Sequence, residues 1–239
     1  MVDIKILASG SSGNTIRIGD GKTALLLEAG IRFKDIQKGL NFQMMEIVGC
    51  LISHSHLDHS KAVREVVRAG IDIYASQGTI DALKLQGHRI NVIKAKEQIN
   101  IGTWTILPFD TIHDAPESLG FLLASGRDKI LYCCDTCYIP YRFKGLTHVL
   151  IECNYSKKII NQNKQDGITP LELKKRVVTN HFALEDVKDF LRANDLSKVR
   201  EIHLLHLSDT NSNAVLFKSE VQKLTGKPTY IAKKGVIYG

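Results

Sequence analysis

The densest chemistry in this sequence lies in one stretch of six residues, His54-Ser55-His56-Leu57-Asp58-His59. In extended or turning backbone, alternate side chains point the same way, so His54 and His56 can converge on one ion. Asp58 and His59, once the chain has turned, can face a second. Neutral imidazole and carboxylate suit Zn²⁺, Mn²⁺ or Fe²⁺. Four ligands do not complete two metal sites, and three further candidates each follow an apolar β run. His113 lies beyond Trp104 to Phe109, Asp135 beyond Lys129 to Cys134, and His206 beyond Glu201 to Leu205. A single sheet edge could present all three.

The elements that must position these residues are readable from hydrophobic patterning. Residues 4–8, 14–18 and 23–28 form short β segments broken by Gly-rich turns at Gly10, Gly13, Gly19 and Gly21. Val48 to Ser53 is an apolar β run that leads straight into the histidine cluster, and Lys61 to Arg68 is helical. A strand at 72–75 precedes a second helix, Thr79 to Leu85. Ile99 to Leu107, Leu119 to Ala124 and Lys129 to Cys134 are β runs, and Thr147 to Glu152 is an apolar run that ends in polar residues. Ala183 to Ala193 and Ala214 to Leu224 are amphipathic helices, with the strand Glu201 to Leu205 between them. Tyr155 to Thr179 is the least regular and most basic stretch, either a lid or an exposed insertion.

The chain has 239 residues, 44% hydrophobic and 24% charged, enough for one large domain spanning 1–239. Its net charge of +7 favours an anionic substrate such as a nucleotide, nucleic acid or phosphoester. No apolar run approaches the roughly 20 residues of a membrane span, and the N-terminus lacks a secretory apolar segment, so a cytoplasmic protein is expected. Its five cysteines, Cys50, Cys133, Cys134, Cys137 and Cys153, read as reduced thiols. Cys134 and Cys137 form a lone C-x-x-C without a second pair at zinc-ribbon spacing, which favours packing over metal binding.

Ala8-Ser9-Gly10-Ser11-Ser12-Gly13-Asn14, the His54 cluster, Ile112-His113-Asp114, Cys134-Asp135-Thr136 and Leu205-His206-Leu207-Ser208 together resemble the metallo-β-lactamase-fold hydrolases over nearly the whole chain. The resemblance implies an α/β protein with an αββα sandwich. It also implies two divalent metal ions, zinc foremost with manganese as the alternative. His54, His56 and His113 would hold the first and Asp58, His59 and His206 the second, with Asp135 bridging. Glu28 departs from the Asp common at that strand end. His56 stands where the diiron flavoprotein branch carries Glu, which disfavours oxidoreductase chemistry.

A hydroxide held between two such ions would attack phosphorus, with Asp58 orienting or deprotonating the attacking water. His181, just before a helix, is the candidate to protonate the leaving oxygen or bind phosphate. His88, His148 and His203 have no such context. Within the family the chain is similar to the phage anti-Pycsar cyclic-nucleotide phosphodiesterases and to short nuclease-like bacterial members. The first implies hydrolysis of 3′,5′-cyclic mononucleotides in evasion of anti-phage defence. The alternative is a single-stranded DNA or RNA nuclease, with the basic residues from Lys157 to Arg176 tracking phosphates. Tyr138, Tyr141, Asn154 and Tyr155 could line a base pocket, and a homodimer is expected by the same resemblance.

Overall fold

The structure, a computed structural model, describes all residues except Met1, Lys233, Lys234, Val236 and Gly239. The chain divides into two compact units: 1–110 with 115–128 and 232–239, and 111–114 with 129–231.

The first unit opens with an antiparallel meander, β1 (Asp3–Ala8), β2 (Thr15–Gly19) and β3 (Ala24–Leu27). Helix α1 (Phe33–Gly39) follows, and β4 (Ile47–Leu51) then pairs parallel with β3. A short helix α2 (Leu57–Ser60) and α3 (Val63–Arg68) lead to β5 (Ile73–Ala75), and α4 (Gln77–Leu83) leads to β6 (Ile90–Val92). β5 and β6 extend the sheet in parallel. A second meander in this unit comprises β7 (Ile99–Ile101), β8 (Trp104–Asp110) and β9 (Leu119–Ser125). Leu26, Ile36, Cys50, Ile52, Val66, Ile73 and Ile80 belong to the core of this unit, which packs α1, α3 and α4 against the strands.

The second unit is built on four parallel strands, β10 (Asp128–Cys133), β11 (His148–Glu152), β12 (Glu201–Leu205) and β13 (Thr229–Ile231). Every residue of β11 is buried, as expected of a parallel strand covered on both faces. Helices α5 (Lys157–Gln165), α6 (Leu171–Asn180) and α7 (Leu184–Ala193) connect β11 to β12, and α8 (Ala214–Thr225) connects β12 to β13. The last strand, β14 (Ile237–Tyr238), returns to the first unit and pairs antiparallel with β1.

Two sequence expectations are corrected here. Tyr155 to Thr179 is not irregular: it forms the helical pair α5 and α6. Ser156 accepts a hydrogen bond from the Lys158 N–H at the start of α5, and Pro170 sits at the N-cap of α6. Tyr155, Ile160, Val177 and Ala183 form a small core there. Ile99 to Leu107 is not one strand but a hairpin that turns at Gly102, whose φ of +56° suits glycine. Among the described residues no helix is long and apolar enough to cross a membrane.

Candidate metal centre

In the first unit, β4 runs through Ile52 and Ser53 into His54, which is 1% exposed. The chain bends at Ser55 and His56, the N-cap of α2, and then coils, so His59 falls in the single turn of that helix. This switch gathers three imidazoles: the rings of His54 and His56 lie 4.8 Å apart, and those of His54 and His59 4.1 Å apart. Ser53 Oγ sits 2.9 Å from His54 Nδ1. Asn14 Nδ2 donates to His59 Nε2 at 3.0 Å, and Glu28 Oε1 lies 3.5 Å from His59 Nδ1. Asp58 Oδ2 is 3.5 Å from His59 Nε2. Glu28 also accepts from the Ser53 N–H at 3.1 Å, so the longer side chain at this strand end reaches both the histidine and the strand that carries the cluster.

The Gly-Ser-Ser-Gly-Asn loop has a mechanical reason for its glycines. The Asn14 N–H donates to the Asp58 carbonyl at 2.7 Å, and the Gly30 N–H to the Asn14 carbonyl at 2.9 Å. This weave brings backbones so close that a Cβ on Gly30 would stand 1.7 Å from the Asp58 carbonyl oxygen. At Gly13, whose φ is +143°, a Cβ would meet the Gly30 carbonyl oxygen at 2.5 Å.

In the second unit, the register places Cys133 beside Ile151, and Glu152 beside Leu205. The residues just past these strands therefore emerge at one edge, the carboxyl end, where parallel sheets present ligand sites. Asp135 and His206 each follow a strand there with φ of +51°, a left-handed conformation that non-glycine residues adopt at a cost of about 1–3 kcal/mol. Glu28 shares this trait in the first unit, with φ of +66°. His206 Nδ1 pairs with Asp135 Oδ1 and lies 3.4 Å from Glu152 Oε1. His113 Nε2 is 3.8 Å from Asp135 Oδ2, and His113 Nδ1–H faces the Asn180 carbonyl at 3.2 Å. His181 Nδ1 meets Glu152 Oε1 at 2.6 Å, and its ring lies 5.4 Å from that of His206 and 5.9 Å from that of His113.

Glu152 is the residue that sequence reading passed over. It is fully buried, and its other oxygen accepts the Thr136 N–H at 3.1 Å and the Phe182 N–H at 3.2 Å. Burial alone would raise its pKa, but the neighbouring His181 charge and hydrogen bonds from His181 and His206 outweigh it, and the carboxyl falls below its ordinary range. Burial likewise works against protonated His206, yet Asp135 and Glu152 push its pKa up to about 10. His181 is raised against its own burial, chiefly by the charge of Glu152.

One ligand atom from each of Asp135, Glu152, His181 and His206 lies within 4.8 Å of the others. Two buried carboxylates beside imidazoles form an oxygen and nitrogen donor set suited to a divalent cation. The negative charge that draws protons onto these imidazoles is the charge such a cation would offset. Asp135 and His206 thus fit the metal ions that the sequence implied, while Glu152 and His181, tied to each other, stand beside them.

The predicted residues gather in two sets. His54, His56, Asp58 and His59 come together in the first unit, and His113, Asp135, His181 and His206 in the second. The candidate base-pocket residues separate. Tyr138 and Tyr141 line a cavity of about 290 Å³, together with Arg142 and one face of α7. Asn154 is buried and donates to the His206 carbonyl at 2.8 Å, which braces the strained ligand loop. Tyr155 is 2% exposed, in the α5–α6 core. Cys134 and Cys137 are free thiols, and Cys134 Sγ lies 3.1 Å from Asp135 Oδ1. His148, at the N-terminal end of β11, and His203, in the middle of β12, are buried near Glu201.

Comparison with known proteins follows the same lines. The beta-lactamase superfamily domain matches residues 32–203. The exodeoxyribonuclease YycJ of Bacillus anthracis is 25% identical over 237 residues, covering 92% of this chain and 87% of that protein. The exodeoxyribonuclease WalJ of Streptococcus pneumoniae is 28% identical over 224 residues, 87% of this chain and 82% of the relative. Among solved structures, the metallo-beta-lactamase fold protein YhfI from Bacillus subtilis superposes with a TM-score of 0.77 at 16% identity, over 99% of this chain and 98% of that one. A diphosphatase of the PhnP family gives 0.68 at 15% identity, over 100% and 98%. These likenesses bear out the metallo-β-lactamase fold expected from the sequence.

Proposed function

This chain belongs to the beta-lactamase superfamily, and on that premise we propose that it is a two-metal phosphodiesterase acting on DNA, with residues 1–239 serving as one hydrolase domain. The observation that carries the reading is the meeting of Asp135 and His206 at the carboxyl edge of the parallel strands, with Glu152 holding His181 beside them. By the resemblance, His54, His56, Asp58 and His59 in the first unit and His113, Asp135 and His206 in the second are the residues that would hold the divalent ions. Zinc is the expected metal and manganese its alternative. Bound there, divalent cations would lower the pKa of water to about 7 and would offset charge on phosphate oxygens.

The chain's own groups supply the rest. Asp58, 23% exposed at its side chain, orients the attacking water. His181 donates a proton to the leaving oxygen. Its Nδ1 is tied to Glu152, which fixes the ring and leaves Nε2 as the nitrogen that gives up the proton. Asn180 steadies this corner, accepting from His113 and donating to Asp114 at 2.9 Å.

DNA is preferred as substrate because the exodeoxyribonuclease relatives align over most of their own length. The net charge of +7 supports the same choice. A compact 3′,5′-cyclic mononucleotide is the second reading, favoured by the nucleotide-sized cavity beside Tyr138. The test is a parallel assay of single-stranded DNA, duplex DNA and cyclic mononucleotides with Zn²⁺- and Mn²⁺-loaded protein. Release of nucleotides from DNA is the expected result. Turnover of cyclic nucleotides without DNA cleavage selects the second reading, and turnover of neither refutes both.

A further inference from the structure

The cavity lined by Tyr138, Arg142 and α7 lies within the second unit, outside the ligand cluster but joined to it through the chain. Its volume of about 290 Å³ is at the lower end of the ~300–1,000 Å³ typical of small-molecule sites. Tyr138 stands three residues after Asp135, so their Cα atoms are at most roughly 11 Å apart. The connecting loop is fixed at both ends. Thr136 Oγ1 accepts from the Ile112 N–H at 3.0 Å and donates to the Tyr138 carbonyl at 2.9 Å, and the Cys137 N–H donates to the Ile112 carbonyl at 3.2 Å. A nucleotide whose phosphate lies at Asp135 thus carries its base within reach of Tyr138.

The walls suit a base. Tyr138, an aromatic residue of the lining, is 56% exposed. Asp186, Asp189, Phe190 and Ala193 follow the spacing i, i+3, i+4, i+7, so one stripe of α7 forms the far wall. Asp186 is paired with Lys157 at 2.5 Å and Asp189 with Arg192 at 2.6 Å, which neutralises two carboxylates that would otherwise repel a phosphodiester. Arg142 is exposed and makes no ion pair among the described residues.

We propose that this cavity is the nucleobase subsite of the phosphodiesterase, with the terminal base stacked on Tyr138 and the neighbouring phosphate held by Arg142. The proposal rests on the phosphodiesterase reading above and makes the substrate an oligonucleotide end, because Arg142 needs a second phosphate.

The test uses metal-loaded protein and single-stranded oligonucleotides ending in 2-aminopurine, whose fluorescence is quenched on stacking. In stopped flow, quenching is expected before any cleavage. Tyr138→Ala should abolish that quench and raise KM roughly tenfold, whereas Tyr138→Phe should retain both. Arg142→Ala should lower the slope of log K against log salt by about 0.7. No early quench with wild-type protein, or a Tyr138→Ala variant indistinguishable from it, overturns the subsite. Quenching without any hydrolysis of DNA or of bis(p-nitrophenyl) phosphate leaves the subsite standing and refutes the phosphodiesterase reading instead.

Discussion

Glu152 and His181 show how much of the centre lies beyond its ligands. If His181 is the proton donor, His181→Ala should lower kcat by about 10²–10⁴ while bound metal, measured by elemental analysis, is unchanged. Glu152→Gln should cost roughly 10–100-fold in activity or metal affinity, because its one remaining oxygen can accept from His181 or from the Thr136 and Phe182 amides but not from both sides. The candidate ligands were legible in the sequence for particular reasons. His54, His56, Asp58 and His59 share one six-residue stretch, and His113, Asp135 and His206 each lie just beyond an apolar β run. Glu152 closes the run Thr147 to Glu152, yet its role comes from the register with β10 and β12, which is a long-range fact. Asn14 is hidden for the same reason, since its partner His59 lies 45 residues away.

Away from the centre, Asp20 offers a pH test at the same scale. Burial would raise its pKa, but hydrogen bonds from Ser125, Thr103, Thr23 and Lys22 hold the carboxyl well below the usual range. Its folded pKa is depressed, so its stabilisation is present above the unfolded value of about 3.9 and is lost as pH falls below that. Urea titrations should therefore find Asp20→Asn less stable than wild type at pH 7, with the difference shrinking below about pH 4.

At the level of elements, the loops around Gly13 and Gly30 are positioning devices. Gly30→Ala forces a Cβ into the Asp58 carbonyl and should destabilise the protein by about 3 kcal/mol, read from denaturant midpoints. The same change on Gly21, whose Cβ would meet nothing within 4 Å, is the matched control, carrying only the strain of its φ of +83°. The helical pair α5 and α6 was hidden in the sequence because its buried side is thin. Ile160 is the buried residue of α5, and Val177 and Asn180 are those of α6, while the exposed side mixes lysines and polar residues with Leu171, Leu173 and Val178. That face makes its own prediction. Lys158, Lys164 and Arg176 are exposed and make no ion pair among the described residues. Replacing all three with alanine should lower the salt slope of single-stranded DNA binding by about 2, at about 0.7 for each phosphate left without its cation. An unchanged slope would remove this pair from the DNA-binding surface.

For the molecule as a whole, bound divalent metal is expected to serve phosphodiester cleavage, with His54 of the first unit and Asp135 of the second each needed for it. The most direct measurement is end-labelled single-stranded DNA incubated with Zn²⁺- or Mn²⁺-loaded protein, alongside His54→Ala and Asp135→Ala, with bound metal measured on each sample. The account predicts metal-dependent shortening of the DNA, abolished by EDTA and by either substitution, with metal content reduced in both variants. Wild-type protein that binds metal yet leaves DNA intact, or an Asp135→Ala protein with full metal content and full activity, would contradict it.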